Sequence, residues 1–112
     1  MDYLFVGTRD EPYISSLINT LQGHGHQTRF ANAQEGIEAL PTNPDAIVAR
    51  PCTNLESLLR KKPGSLPAIV LLDTQDKAWE LMLLPQNTTV LYISAIFNIS
   101  ERVLALLPQA RL

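Results

Sequence analysis

The segment from Pro44 to Pro51, PDAIVARP, constrains the fold of this chain most strongly. Four consecutive small or β-branched apolar residues, 46–49, lie between prolines, and helical patterns precede and follow them. A short apolar run of this kind is typical of a parallel strand that helices cover on both faces. We therefore predict a central strand over 46–49, which makes Arg50 the residue at its carboxyl end.

The rest of the chain alternates between apolar runs and amphipathic segments. Ile14, Leu17, Ile18 and Leu21 recur at the spacing of one helix face, and Gly23 ends that helix. Five strand–helix pairs with short connections require crossovers, and right-handed crossovers place helices on both sheet faces. We expect an α/β fold: a doubly wound, five-stranded parallel sheet with flavodoxin-like order 2-1-3-4-5. The predicted strands cover 3–6, 26–30, 46–49, 68–72 and 90–93, and the helices begin after Asp10, at Ala33, after Asn54, at Lys77 and at Ser100.

Composition narrows the class of protein. A chain of 112 residues fits one domain, and a net charge of −2 gives no basic surface for nucleic acid. The single cysteine, Cys52, excludes an internal disulfide and fits a reducing compartment. Asp2 stands where a signal peptide has basic residues, and no apolar run is long enough to span a membrane. We expect a cytoplasmic domain that contacts neither membrane nor nucleic acid directly.

Two stretches resemble the receiver domains of response regulators. Asp10 to Leu40 is similar to their first helix, second strand and second helix. Pro44 to Arg50 resembles their third strand, in which Pro-Asp and four apolar residues precede the phospho-accepting aspartate. The resemblance covers the whole chain as an order of strands and helices. It implies one receiver-like domain over 1–112, expected to be the N-terminal domain of a longer bacterial signalling protein.

The sequence departs from that family at the residues that carry its chemistry. Receivers hold magnesium with an acidic pair after strand 1, and a carboxylate after strand 3 attacks the phosphoryl group. Arg50 stands at the position of that carboxylate, and a guanidinium can neither attack phosphorus nor bind magnesium. Leu72 aligns with the hydroxyl residue of strand 4, and Ser94 or Ala95 with the lysine of strand 5. We therefore expect no phosphotransfer, no metal and no cofactor.

Two registers remain open for the acidic pair, which becomes either Gly7 and Thr8 or Arg9 and Asp10. We expect Arg50 to place a fixed charge in the vacated pocket and to pair with Asp10 or Asp73. The alternative is a half-exposed arginine at a strand end with a structural ion pair. Asp73 and Asp76, with Asp10, could also hold a cation, although aspartates here more often cap the next helix. The predicted degenerate pocket comprises Gly7, Thr8, Asp10, Arg50, Leu72, Asp73 and Ser94.

An apolar set near the end of the chain predicts an interaction surface. In receivers, the face formed by helix 4, strand 5 and helix 5 is a common dimer and output surface. Exposed aromatic residues there would form the kind of apolar patch that marks a partner site. The residues of this predicted interface are Trp79, Leu83, Tyr92, Ile96 and Phe97.

These observations favour a non-enzymatic pseudo-receiver module. It would regulate an output domain or a partner signalling protein by contact or homodimerisation, independently of phosphorylation. The alternative is a module of the same fold that binds a small ligand or nucleotide at the strand ends, near Gly7, Thr8, Arg50 and Asp73. A small α/β enzyme is a third interpretation, disfavoured because the sequence shows no nucleophile–base pair.

Overall fold

A computed structural model describes residues 2–7, 12–73, 76–80, 84–85 and 87–92 of the chain. The helix predicted to begin at Ser100 lies outside these ranges. The strands are β1 (Asp2–Val6), β2 (Gln27–Ala31), β3 (Ala46–Ala49), β4 (Ala68–Leu72) and β5 (Thr88–Tyr92). The helices are α1 (Pro12–Gly23), α2 (Ala33–Ala39), α3 (Leu55–Lys61) and α4 (Lys77–Glu80), and a 3-10 turn, Leu40–Thr42, follows α2.

The five strands form one parallel sheet in the order β2-β1-β3-β4-β5, which confirms the predicted fold class. Strand β3 lies at its centre, and all four of its residues are buried, as expected of an apolar run covered on both faces. In the register, Ala49 lies beside Val6 on one side and beside Val70 on the other. The carboxyl ends of β1, β3 and β4 therefore meet at one edge of the sheet.

Side chains that alternate along the strands divide the core into two layers. Tyr3, Phe5 and Val48 face Leu17 and Leu21 of α1 and form the first core cluster. The second core cluster lies on the opposite face of the sheet, where α2 and α3 cover it. It contains Leu4, Val6, Ile47, Ala49, Val70 and Leu72 from the strands, with Ala33, Leu55, Leu58 and Leu59 from the helices.

Local sequence explains where the second-layer helices begin and end. Asn32 and Glu35 form a reciprocal capping box at the start of α2, an N-x-x-E signal in the sequence. The predicted helix to Leu40 ends one residue earlier, and Pro41 lies in the 3-10 turn that follows. Asn54 occupies the N-cap position of α3 as predicted. However, its backbone is left-handed, with φ of 69°, and its side chain makes no capping hydrogen bond.

Candidate functional site

Arg50 lies at the point of the sheet where ligands usually bind in this architecture. In doubly wound sheets the binding crevice lies outside the carboxyl ends of the strands, where the strand order reverses. That point falls between β1 and β3 here. The backbone N–H of Arg50 donates to the carbonyl of Val6 at 2.9 Å, so Arg50 directly adjoins this reversal.

The side chain of Arg50 turns toward β4 and the start of α4. Its Nη1 donates to the carbonyl oxygen of Leu71 at 2.8 Å and to Oδ2 of Asp76 at 2.9 Å. The two side chains of this ion pair are 11% and 18% exposed, respectively. Because little water screens the pair, its attraction is stronger than that of a surface pair, and each charge depends more on the other.

The ion-pair partner differs from the sequence expectation in part. Arg50 was predicted to pair with Asp10 or Asp73; Asp10 lies outside the described residues, and the carboxylate that the structure places on the guanidinium is that of Asp76. Asp73 contributes to the same group through its backbone N–H, which donates to Oδ2 of Asp76 at 2.8 Å. This hydrogen bond helps to hold the carboxylate of Asp76 at the end of β4, within reach of Arg50.

Among the other residues of the predicted pocket, the structure describes Gly7 and Leu72. Gly7 is buried beyond β1, and its N–H donates to the carbonyl of Ala31 at 3.2 Å. Leu72 is fully buried in the second core cluster, so an apolar side chain occupies the position that aligns with the hydroxyl residue of receivers. Thr8 and Ser94 lie outside the described ranges.

The alternative suggested by the sequence, a cation site, would need the carboxylates of Asp10, Asp73 and Asp76 close together. Within the described part of the chain, no three histidine, cysteine or acidic residues are grouped closely enough to hold a metal ion. The carboxylate of Asp76 already contacts the Arg50 guanidinium, whose positive charge would repel a cation. The described geometry therefore makes Asp76 a partner of Arg50 instead of a metal ligand.

Two residues of the predicted interface can be placed. Tyr92 ends β5 with 36% of its surface exposed. Trp79, in α4, is half-buried and packs against the second core cluster. Leu83, Ile96 and Phe97 lie outside the described residues. The predicted patch depended on the rings of Trp79 and Tyr92 both facing outward; Tyr92 is exposed, whereas Trp79 packs against the second core cluster.

A concavity at the opposite, amino end of the strands was not predicted. It encloses about 260 Å³ between the 3-10 turn and the loop from α3 to β4. Beside it lies the buried Lys62, whose Nζ donates to the carbonyl of Leu66 at 2.8 Å, and burial lowers the pKa of Lys62. Sequence patterns do not indicate this cavity, because its lining combines two separate segments of the chain. It is lined by Leu40, Asn43, Pro44, Asp45, Pro63, Ser65 and Leu66.

Cys52, the single cysteine of the chain, lies just after β3 and is half-buried. Burial raises the pKa of its thiol, and a hydrogen bond with the backbone of Ala33 lowers it to a smaller extent. A raised pKa reduces the fraction of reactive thiolate at neutral pH. The environment of Cys52 is therefore that of a packing residue.

The parallel sheet, its strand order and the helices on both faces define a flavodoxin-like α/β domain. Comparison of the chain with protein-family models finds no match, and a search of curated proteins finds no significant relative. Among the described helices, none combines the length and apolar character that crossing a bilayer requires.

Proposed function

We propose that this chain is a pseudo-receiver: a non-enzymatic, cytoplasmic signalling module that acts by protein–protein contact without accepting a phosphoryl group. The observation that carries the proposal is the position of Arg50. It follows the central strand at the point of strand reversal, and its guanidinium lies against Asp76 and the carbonyl of Leu71. By this proposal, the guanidinium of Arg50 and the carboxylate of Asp76 lie where a receiver would bind magnesium and carry its acceptor carboxylate.

The face that includes α4 and β5 is the proposed contact surface, either for an output domain or partner signalling protein, or for a second copy of the chain. Tyr92 supports this choice, because it is the one large hydrophobic side chain that the described part of the structure exposes to solvent. Aromatic residues are enriched in the buried centres of protein interfaces, where they contribute much of the binding energy.

The absence of phosphotransfer is tested by incubation with acetyl phosphate and magnesium, followed by measurement of the intact mass. The second arm titrates beryllofluoride and magnesium while backbone amide resonances are recorded. We expect no phosphoryl adduct and no saturable shift around residue 50, because no carboxylate occupies the acceptor position. A saturable, magnesium-dependent modification would contradict the proposal.

The contact surface is tested by sedimentation of the Tyr92→Ala variant over a range of concentrations. Thr89→Ala is the matched control, since Thr89 is exposed on the same strand but points to the opposite face of the sheet. If the chain self-associates through this face, Tyr92→Ala should weaken association about tenfold or more, as loss of an aromatic anchor usually does. Equal weakening by both variants, or by neither, would contradict this role for Tyr92.

Ligand binding at the strand ends is the second candidate, and the geometry favours it less. An anion would need the Arg50 guanidinium, which is 11% exposed and already donates Nη1 to two protein oxygens. Thermal unfolding with and without nucleotides or inorganic phosphate separates the candidates, because a ligand that binds the native state raises the melting temperature.

A further inference from the structure

Arg50, at the end of β3, connects the neighbouring strands β1 and β4 with the start of α4. Its backbone N–H donates to Val6 in β1, and its Nη1 donates to the carbonyl of Leu71 in β4. The same Nη1 reaches the carboxylate of Asp76, the residue immediately before α4. One side chain therefore joins the end of the central strand to the start of a helix on the surface of the domain.

Asp76 organises the turn into α4 with both its side chain and its backbone. Its Oδ2 accepts from the N–H of Asp73 at 2.8 Å, and its own N–H donates to the carbonyl of Asp73 at 3.0 Å. The carbonyl of Asp76 accepts from the N–H of Trp79 at 3.0 Å. A displacement of Asp76 would therefore change the first turn of α4.

Trp79 completes the connection between Arg50 and the core. Its side chain is half-buried against the second core cluster, the layer that contains the last residue of β4, Leu72. A continuous series of contacts thus leads from the guanidinium of Arg50 through Asp76 to the backbone N–H of Trp79, the residue whose ring packs against the core. The position of that ring depends on the position of the first turn of α4.

We propose that the Arg50–Asp76 ion pair is a built-in device that holds the first turn of α4 in one position against the sheet. The inference rests on the proposed function and deepens it, since the contact face near α4 is then fixed without any phosphoryl signal. Removing Arg50 leaves the carboxylate of Asp76, which is only 18% exposed, without this counter-ion, so the paired arrangement is strongly favoured over an open one. The device is internal, and breaking the pair should release the first turn of α4.

The test uses Trp79, the only tryptophan of the chain, as an intrinsic reporter. Arg50→Met removes the charge and both Nη1 contacts while keeping a long apolar side chain. Arg60→Met is the matched control, because Arg60 pairs with Glu56 at 2.9 Å on the exposed surface of α3. Tryptophan emission and acrylamide quenching are measured for the full chain, together with hydrogen exchange of the Trp79 amide.

We expect Arg50→Met to shift Trp79 emission to longer wavelength and to increase its quenching. Exchange of the Trp79 amide should be about tenfold faster, the change expected when a hydrogen bond to a charged group is lost. Arg60→Met should leave all three measurements unchanged. Asp76→Asn, which is nearly isosteric, is the second variant and should give the same changes if Arg50→Met does not fold.

Unchanged Trp79 emission and exchange in a folded Arg50→Met or Asp76→Asn variant would overturn the inference. The proposed function would survive that result if acetyl phosphate still produced no adduct. Conversely, a Trp79 response combined with magnesium-dependent modification of the wild-type chain would support the ion-pair device and contradict the pseudo-receiver proposal.

Discussion

The two ends of the sheet each carry an arginine–aspartate ion pair, and they differ mainly in exposure to water. At the amino end, Nη2 of Arg29 lies 2.8 Å from Oδ2 of Asp2, with side chains 36% and 28% exposed. At the carboxyl end, Nη1 of Arg50 lies 2.9 Å from Asp76, with side chains 11% and 18% exposed. The distances are nearly equal, so distance alone does not distinguish a surface pair from one that organises a site.

The surroundings of the two pairs explain the difference. The Arg29–Asp2 pair joins β1 to the edge strand β2, where both side chains are partly exposed. Arg50 follows the central strand, and its guanidinium also donates to the carbonyl of Leu71. Burial raises the free-energy cost of separating two charges. The contributions of Arg50 and Asp76 to stability should therefore depend strongly on each other, whereas those of Arg29 and Asp2 should be nearly independent.

Removing the guanidinium of Arg50 should have the largest effect on stability and therefore tests this comparison most strongly. We expect Arg50→Met to lower the free energy of unfolding by about 2–3 kcal/mol, because Asp76 loses its counter-ion and the carbonyl of Leu71 loses a donor. Chemical denaturation of the variant and wild type measures the change. A loss no larger than that of Arg29→Met would show that burial does not separate the two pairs.

Neutralising the acidic partner should have a smaller effect. We expect Asp76→Asn to cost about 1–2 kcal/mol, since the amide oxygen can still accept from the Asp73 N–H but no longer balances the charge of Arg50. Glu56→Gln is the control, because it neutralises the exposed partner of Arg60 and should change stability by less than about 0.5 kcal/mol. Urea unfolding curves for both variants check this, and equal losses would contradict the importance of burial.

The first core cluster also contains a buried polar group, the hydroxyl of Tyr3, which takes no part in the Arg29–Asp2 ion pair. The side chain of Tyr3 is fully buried, and its hydroxyl has no hydrogen-bond partner among the described residues. We therefore expect Tyr3→Phe to stabilise the domain by about 1 kcal/mol, the lower end of the cost of an unsatisfied buried group. Thermal unfolding at neutral pH measures this, and a destabilised variant would contradict the environment described for Tyr3.

The same variant gives a prediction for pH dependence. Burial raises the pKa of Tyr3 above its ordinary value of 10.0, and the nearby charge of Asp45 raises it further. The folded state therefore retains the phenolic proton at pH values where the unfolded state has lost it. This contribution to stability is complete below pH 10.0 and is lost as pH rises toward the pKa of the folded state.

Tyr3→Phe should remove that alkaline loss of stability. Lys62, whose pKa is lowered by burial, contributes a slope of opposite sign, and it does so in both proteins. The difference between the wild-type and variant stability curves from pH 8 to pH 11, a range set around the ordinary pKa, therefore isolates Tyr3. Parallel curves over this range would contradict the raised pKa.

The smallest effect belongs to the Arg29–Asp2 pair, the more exposed of the two. We expect Arg29→Met to cost about 0.5 kcal/mol or less, because solvent screens the charges and the ordered side chains lose conformational entropy in the pair. The effect should decrease further as salt is added. Denaturation at low and high ionic strength measures both features, and a salt-independent loss above about 1.5 kcal/mol would remove the contrast with Arg50.

Much of the fold could be predicted from the sequence because hydrophobic pattern and turn residues agree along the chain. The apolar run 46–49 between prolines predicted β3 with its observed bounds, and Ala68 to Leu72 likewise predicted β4. The edge strands differ from the prediction by one or two residues, because β2 begins at Gln27 and continues to Ala31, and β5 already begins at Thr88. The Asn32–Glu35 capping box was a readable signal that the prediction did not use.

The candidate site was less predictable, since it depends on a turn that the pattern does not specify. Strand order alone placed Arg50 at the right edge of the sheet, but two aspartates follow β4 and either could have reached it. In the structure the carboxylate of Asp76 accepts from the Asp73 N–H and contacts the guanidinium. The outward position of Tyr92 and the inward packing of Trp79 likewise depend on tertiary contacts that alternation along one segment does not specify.

A double-mutant cycle between Arg50→Met and Asp76→Asn tests most directly whether the two residues act as one unit. The cycle isolates the energy of their interaction from the separate effects of the two substitutions. We predict a coupling energy of about 1–2 kcal/mol, against less than about 0.5 kcal/mol for the same cycle on Arg29→Met and Asp2→Asn. Additive effects at Arg50 and Asp76 would contradict the ion pair that organises the proposed site.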